Sequence, residues 1–103
     1  MTDRELLELA AKAAGYEFEF NHAARVLADG KLWNPLENDG DALRLANILR
    51  ISIIRDSPNV QATAVLIGKR KTKIQEDVLY QCKHTATRRA IVRAAAEIGR
   101  AMP

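Results

Sequence analysis

The chain has 103 residues, 48% hydrophobic and 28% charged, with 16 Lys and Arg against 13 Asp and Glu for a net charge of +3. That length suits one domain over residues 1–103 with one core. The composition is that of a folded soluble protein and excludes disorder, while the basic excess, with a pI near 9.3, mildly favours anionic partners. A 5% aromatic share argues against a base-stacking surface, the single Cys82 excludes an internal disulfide, and His22 and His84 are too few for a structural zinc site.

Thr2 followed by Glu5 is a capping box, in which each side chain satisfies the other residue's free backbone N–H, so a helix is expected over residues 3–14. Leu6, Leu7, Ala10, Ala13 and Ala14 form its apolar stripe, and Gly15 stands where a left-handed cap ends it. This polar, capped start is not a signal peptide, and no apolar run approaches a membrane span, so a cytosolic protein without membrane contact is expected. Tyr16, Phe18 and Phe20 then alternate with Glu17 and Glu19, the period of a half-buried strand. Paired carboxylates at that spacing can serve acid–base chemistry, but no second acid or His cluster accompanies them and a wet strand face looks the same. Arg25–Leu27 can form a second short strand, and Asp29-Gly30 is a turn that returns the chain through Lys31 to Trp33.

The stretch LWNPLENDGDALRLANIL, Leu32 to Leu49, holds the only Trp and the densest turn chemistry. Asn34-Pro35 ends the preceding extended segment, because the residue before Pro is pushed out of helical geometry and Pro donates no hydrogen bond. Asp39 is the expected N-cap of a second helix whose apolar face is Ala42, Leu43, Leu45, Ala46 and Leu49, with Arg44 and Asn47 in water. Trp33 can be read as an exposed docking knob for a partner protein. It can equally be a core residue that, with Leu36, staples the loop down.

Arg50–Arg55, RISIIR, is a β-branched run that suits a strand, although the helix could continue through it. Asp56-Ser57-Pro58-Asn59 is a turn, and Val60–Ile67, bounded by Gly68, is a central strand. Lys69-Arg70-Lys71-Thr72-Lys73 carries four positive charges in five residues. If Ile74–Tyr80 returns as a strand, these residues are a hairpin tip. Lys69, Arg70, Lys71 and Lys73 are then either a nucleic-acid contact or charges that protect an edge.

The last helix is expected over Thr85–Ala101, with Thr87, Ile91, Ala94, Ala95, Ile98 and Met102 on one face and Arg88, Arg89, Arg93 and Arg100 largely away from it. Those Arg residues can meet an acidic protein surface, follow phosphates, or simply be solvated; Arg93 and Glu97 are one turn apart and can pair. Cys82 and His84 lie two apart before this helix, yet a nucleophile needs a third group to orient its base and donors for an oxyanion, and neither can be pointed to. No catalytic residue, metal or cofactor is therefore assigned.

Three blocks, MTDRELLELAAKAAGYE, WNPLENDGDALRLA and ATRRAIVRAAAEIGRAMP, together about half the chain, resemble a family of small uncharacterised proteins of temperate tailed phages and prophages of Gram-negative bacteria. The resemblance implies a phage accessory protein in the bacterial host cytoplasm, without an assigned activity. Arg50–Lys83 is where such relatives vary, and where they carry an acidic residue and a Pro before the final helix this chain has Cys82-Lys83, so their helix cap does not carry over. Fixed helices around a variable sheet would suit a scaffold that presents different surfaces to different host targets.

The expected fold is α+β, with three helices packed on one face of a small, mostly antiparallel sheet of three to five strands and Trp33 at the edge of the core. The expected function is non-catalytic binding of a host or phage protein through Trp33, Arg88, Arg89, Arg93 and Arg100. The alternative is a basic nucleic-acid-binding module built on residues 69–73 and the same Arg face.

Overall fold

A computed structural model describes residues 2–20, 26–56, 59–65, 71–77 and 83–102, with side chains placed over 2–20, 26–53 and 84–102. Helix α1 spans Asp3–Ala14; the Thr2 hydroxyl accepts from the Glu5 N–H, and Gly15, at φ +80°, returns its own N–H to the Ala11 and Lys12 carbonyls. Leu6, Leu7, Ala10 and Ala11 are its buried residues. The buried stripe thus runs through Ala11, whereas Ala13 and Ala14 of the expected stripe are only half-buried.

The aromatic alternation yields strand β1, Phe18–Phe20, followed by β2, Val26–Ala28, and β3, Lys31–Leu32, in an antiparallel sheet of order β1-β2-β3. Asp29 and Gly30 link β2 to β3 with φ of +53° and +79°, the two left-handed residues that a tight hairpin matched to strand twist requires. The Asp29 carboxylate also accepts from the Glu17 N–H at 2.7 Å, tying the turn to β1. Trp33 follows directly; its N–H donates to the Val26 carbonyl, its ring is buried at 7% exposure, and it meets Tyr16 edge-on with centroids 5.7 Å apart.

Asn34 organises the turn that leads to helix α2, Asp39–Leu49. Its side-chain oxygen accepts from the Leu36 N–H, its carbonyl accepts from the Glu37 and Asn38 N–H groups, and its own N–H donates to the Asp41 carboxylate. The N-cap is Asn38, not Asp39: the Asn38 side chain accepts from the Asp41 N–H at 2.9 Å. Asp39 is the first helical residue, and its carboxylate is turned to another partner. Ala42, Leu45 and Ala46 are buried, but Leu43, expected on the same face, is 58% exposed. Arg50 in left-handed conformation, φ +54°, ends the helix by returning its N–H to Ala46 O. RISIIR therefore leaves the helix and becomes strand β4, Ser52–Asp56.

β4 pairs antiparallel with β5, Asn59–Val65, and β5 with β6, Lys71–Asp77, in the order β4-β5-β6. Residues 57–58 of the expected turn, Gly68, and the 78–80 end of the expected return strand lie outside the described residues. The strands thus form two three-stranded sheets, where one sheet of three to five strands was expected.

Helix α3, Lys83–Ala101, packs on α1, α2, β5 and β6. The α+β class holds, but the three helices do not share one sheet face: they pack on one another, and α3 carries the larger sheet. The reason is the girth of α3. Ala86, Ala90, Ile91, Val92, Ala94, Ala95, Ala96 and Ile98 are all buried, far more of the circumference than the stripe through Ile91, Ala94, Ala95 and Ile98. Small side chains permit that crowding, and at Gly99 it reaches its limit: a Cβ built there would lie 2.0 Å from the Leu9 carbonyl oxygen of α1. Met102, assigned to the apolar face, stays 38% exposed, and its carbonyl accepts from the Lys12 ammonium at 3.0 Å.

Candidate functional site

The expected Arg face of α3 is largely drawn into the fold. Arg88 donates from Nε to the Leu36 carbonyl at 2.8 Å, from one terminal nitrogen to Asp39 at 2.5 Å and from the other to the Thr85 hydroxyl at 3.2 Å. With 16% of its side chain exposed, it bolts the 34–38 turn and the start of α2 onto α3. Arg89 pairs with Asp3 at the start of α1, Arg100 pairs with Glu97 one turn back, and Arg93 is half-buried. Burial likewise removes Trp33 as a surface knob; with Leu36, at 8% exposure, it staples the loop to the core. Lys71 and Lys73 belong to the body of β6, opposite Val65 and Thr63, not to a hairpin tip, while Lys69 and Arg70 lie outside the described residues.

The acid–base candidates do not converge. Glu17, just before β1, and Glu19, within it, are exposed, His84 stands at the start of α3, and His22 and Cys82 lie outside the described residues. Among the described residues, no group of three or more His, Cys, Asp or Glu could hold a metal ion, and no helix is long and apolar enough to cross a membrane.

Among the described residues, two concavities stand out. A wide groove between α1 and β1, about 600 Å³, has Leu9, Tyr16 and Phe18 within it and Glu5, Glu8 and Lys12 around it. A smaller and more enclosed cleft of about 230 Å³ lies where α2 and α3 meet beside β4. Ala42, Leu43, Ile53 and Ile91 supply its apolar lining, and Asp39, His84, Thr87 and Arg88 its polar lining. The Arg88 hydrogen bond holds the Asp39 carboxyl below its ordinary value of 3.8; desolvation opposes this, and the charges of Arg88 and His84 reinforce it. Asp39 is thus an anion at neutral pH, already satisfied by Arg88, and is held as structure instead of being poised to take up a proton.

Asp39 and Leu43 are the residues of this cleft that reasoning from sequence misplaced. Asp39 resembles a cap because Asn38 and Asp39 are adjacent acceptors at a helix start. Its true partner is 49 residues away, and no local spacing reports it. Of the candidate residues, Arg88 and His84 are brought into the cleft. No protein-family model, curated protein or solved structure matches the chain.

Proposed function

We propose that this chain is a non-catalytic binder of another protein, a phage or prophage accessory protein of the host cytoplasm, that receives one large apolar side chain of its partner in the α2–α3 cleft. One observation carries this reading: Leu43 stays 58% exposed at a cleft lined otherwise by Ala42, Ile53 and Ile91 and bordered by charged and polar groups. An apolar centre within a polar rim is the anatomy of a protein interface, and single buried anchors supply most of the affinity there. The cleft has room for one large side chain, and its ion pair leaves Asp39 and Arg88 occupied.

The nucleic-acid alternative loses half its support. Arg88, Arg89 and Arg100 already face Asp39, Asp3 and Glu97, so that reading rests chiefly on residues 69–73. Capture from host lysate by the tagged protein, with and without nuclease and at two salt concentrations, separates the readings. Protein capture that survives nuclease and moderate salt, and falls with Leu43→Glu, supports the binder. Recovery of nucleic acid alone, collapsing as salt rises, replaces it with the alternative.

A further inference from the structure

β6 is an outer strand of its sheet: β5 takes one edge over Lys71–Asp77, and no described strand pairs with the other. Such an edge presents alternate backbone N–H and C=O groups outward and is a template for another strand. The sequence along it, KTKIQED, is basic in its first half and acidic in its second. The register with β5 sets Lys71, Lys73, Glu76 and Asp77 opposite Val65, Thr63, Val60 and Asn59, all uncharged. No opposite charge therefore stands directly across from any of these four on β5.

We propose that the free edge of β6 pairs with the β6 of a second copy of this chain, antiparallel and centred on Ile74, joining two three-stranded sheets into one of six strands. In that register Lys71 lies opposite the second copy's Asp77, Thr72 opposite Glu76, Lys73 opposite Gln75 and Ile74 opposite itself. The basic half of each strand thus meets the acidic half of the other, twice, because a two-fold interface repeats every contact. A parallel pairing in register would instead set Lys against Lys and Asp against Asp. Antiparallel self-pairing is the arrangement that this charge order favours, and opposite charges directly across strands stabilise a ladder while like charges weaken it.

Two measurements test this. Light scattering after gel filtration, over a concentration series, should give a dimer mass for the natural chain. Lys71→Asp, which sets Asp against Asp at both ends, should weaken the dimer roughly tenfold or more, and Lys71→Asp with Asp77→Lys should restore it. Circular dichroism confirms that each variant is folded. A monomer at every concentration, or a dimer indifferent to the single swap, overturns the proposal.

The second measurement reads the register. With Cys82→Ser in the background, Ile74→Cys under a mild thiol oxidant such as diamide should give a disulfide-linked dimer, two thiols being oxidised as diamide is reduced. Opposed Cα atoms in a ladder fall within disulfide reach. Lys71→Cys, whose two copies would be about 20 Å apart along the strands, should not cross-link. Equal cross-linking at both positions, or at neither, contradicts the register.

Discussion

The three donors of Arg88 end on three pieces of chain: a carbonyl in the turn before α2, a carboxylate in the first turn of α2, and a hydroxyl one turn back on α3. Removing them leaves the partly buried Leu36 carbonyl without that donor, so Arg88→Ala should cost about 2 kcal/mol in urea or thermal unfolding. Arg100→Ala, whose ion pair with Glu97 is 62% exposed on the Arg side, should cost well under 1 kcal/mol. Equal losses from the two would mean that Arg88 ties nothing. Asp39 supplies a pH test of the same joint. Its carboxyl is held low in the folded chain by Arg88, so its contribution is fully present above the ordinary value of 3.8 and is lost as pH falls through the lower folded value. Asp39→Asn should therefore be less stable than the natural chain at pH 7, with the gap closing below about pH 4. A gap unchanged at pH 2.5 would show that the carboxylate's charge is not what holds the joint.

At the scale of elements, the small residues of α3 set how near the helices come. Gly99 lies inside a helix, where Ala is ordinarily better by about 1 kcal/mol. Here the added Cβ would fall 2.0 Å from a backbone oxygen of α1, which cannot swing aside as a flexible side chain can. Contact should outweigh propensity, with Gly99→Ala losing about 3 kcal/mol, or roughly 10–25 °C in Tm. A Tm that rises would show that α1 and α3 are not this close. The α2 cap gives a milder test: Asn38→Ala should cost about 1 kcal/mol by removing the acceptor for the Asp41 N–H, and Asp39 should not take over that role.

Elements signed by local chemistry were legible in the sequence. The Thr2 cap, the Gly15 terminus and the Asp29-Gly30 turn each encode a backbone conformation in one or two residues, and each stands where it was expected. The β-branched runs became β4 and β5 for the same reason. The girth of α3 was not legible, because Ala is equally at home in water or in a core and its burial is decided by what packs on it. Arg88 was singled out, but as a surface residue, since its partners lie 49 and 52 residues away in sequence. Trp33 had two readings that only its surroundings separate.

At the scale of the whole molecule, α3 is the common support: α1 on it, α2 bolted to it through Arg88, and the larger sheet against it. Where α2 meets α3, the cleft with Leu43 faces outward. The most direct measurement of the proposed function is nuclease-treated capture from host lysate by the natural chain, Leu43→Glu and Arg100→Glu, side by side. Both altered residues are exposed, so both variants should fold and melt like the natural chain. The account predicts that the captured protein is lost with Leu43→Glu and kept with Arg100→Glu; capture retained by Leu43→Glu, or abolished only by Arg100→Glu, would contradict it.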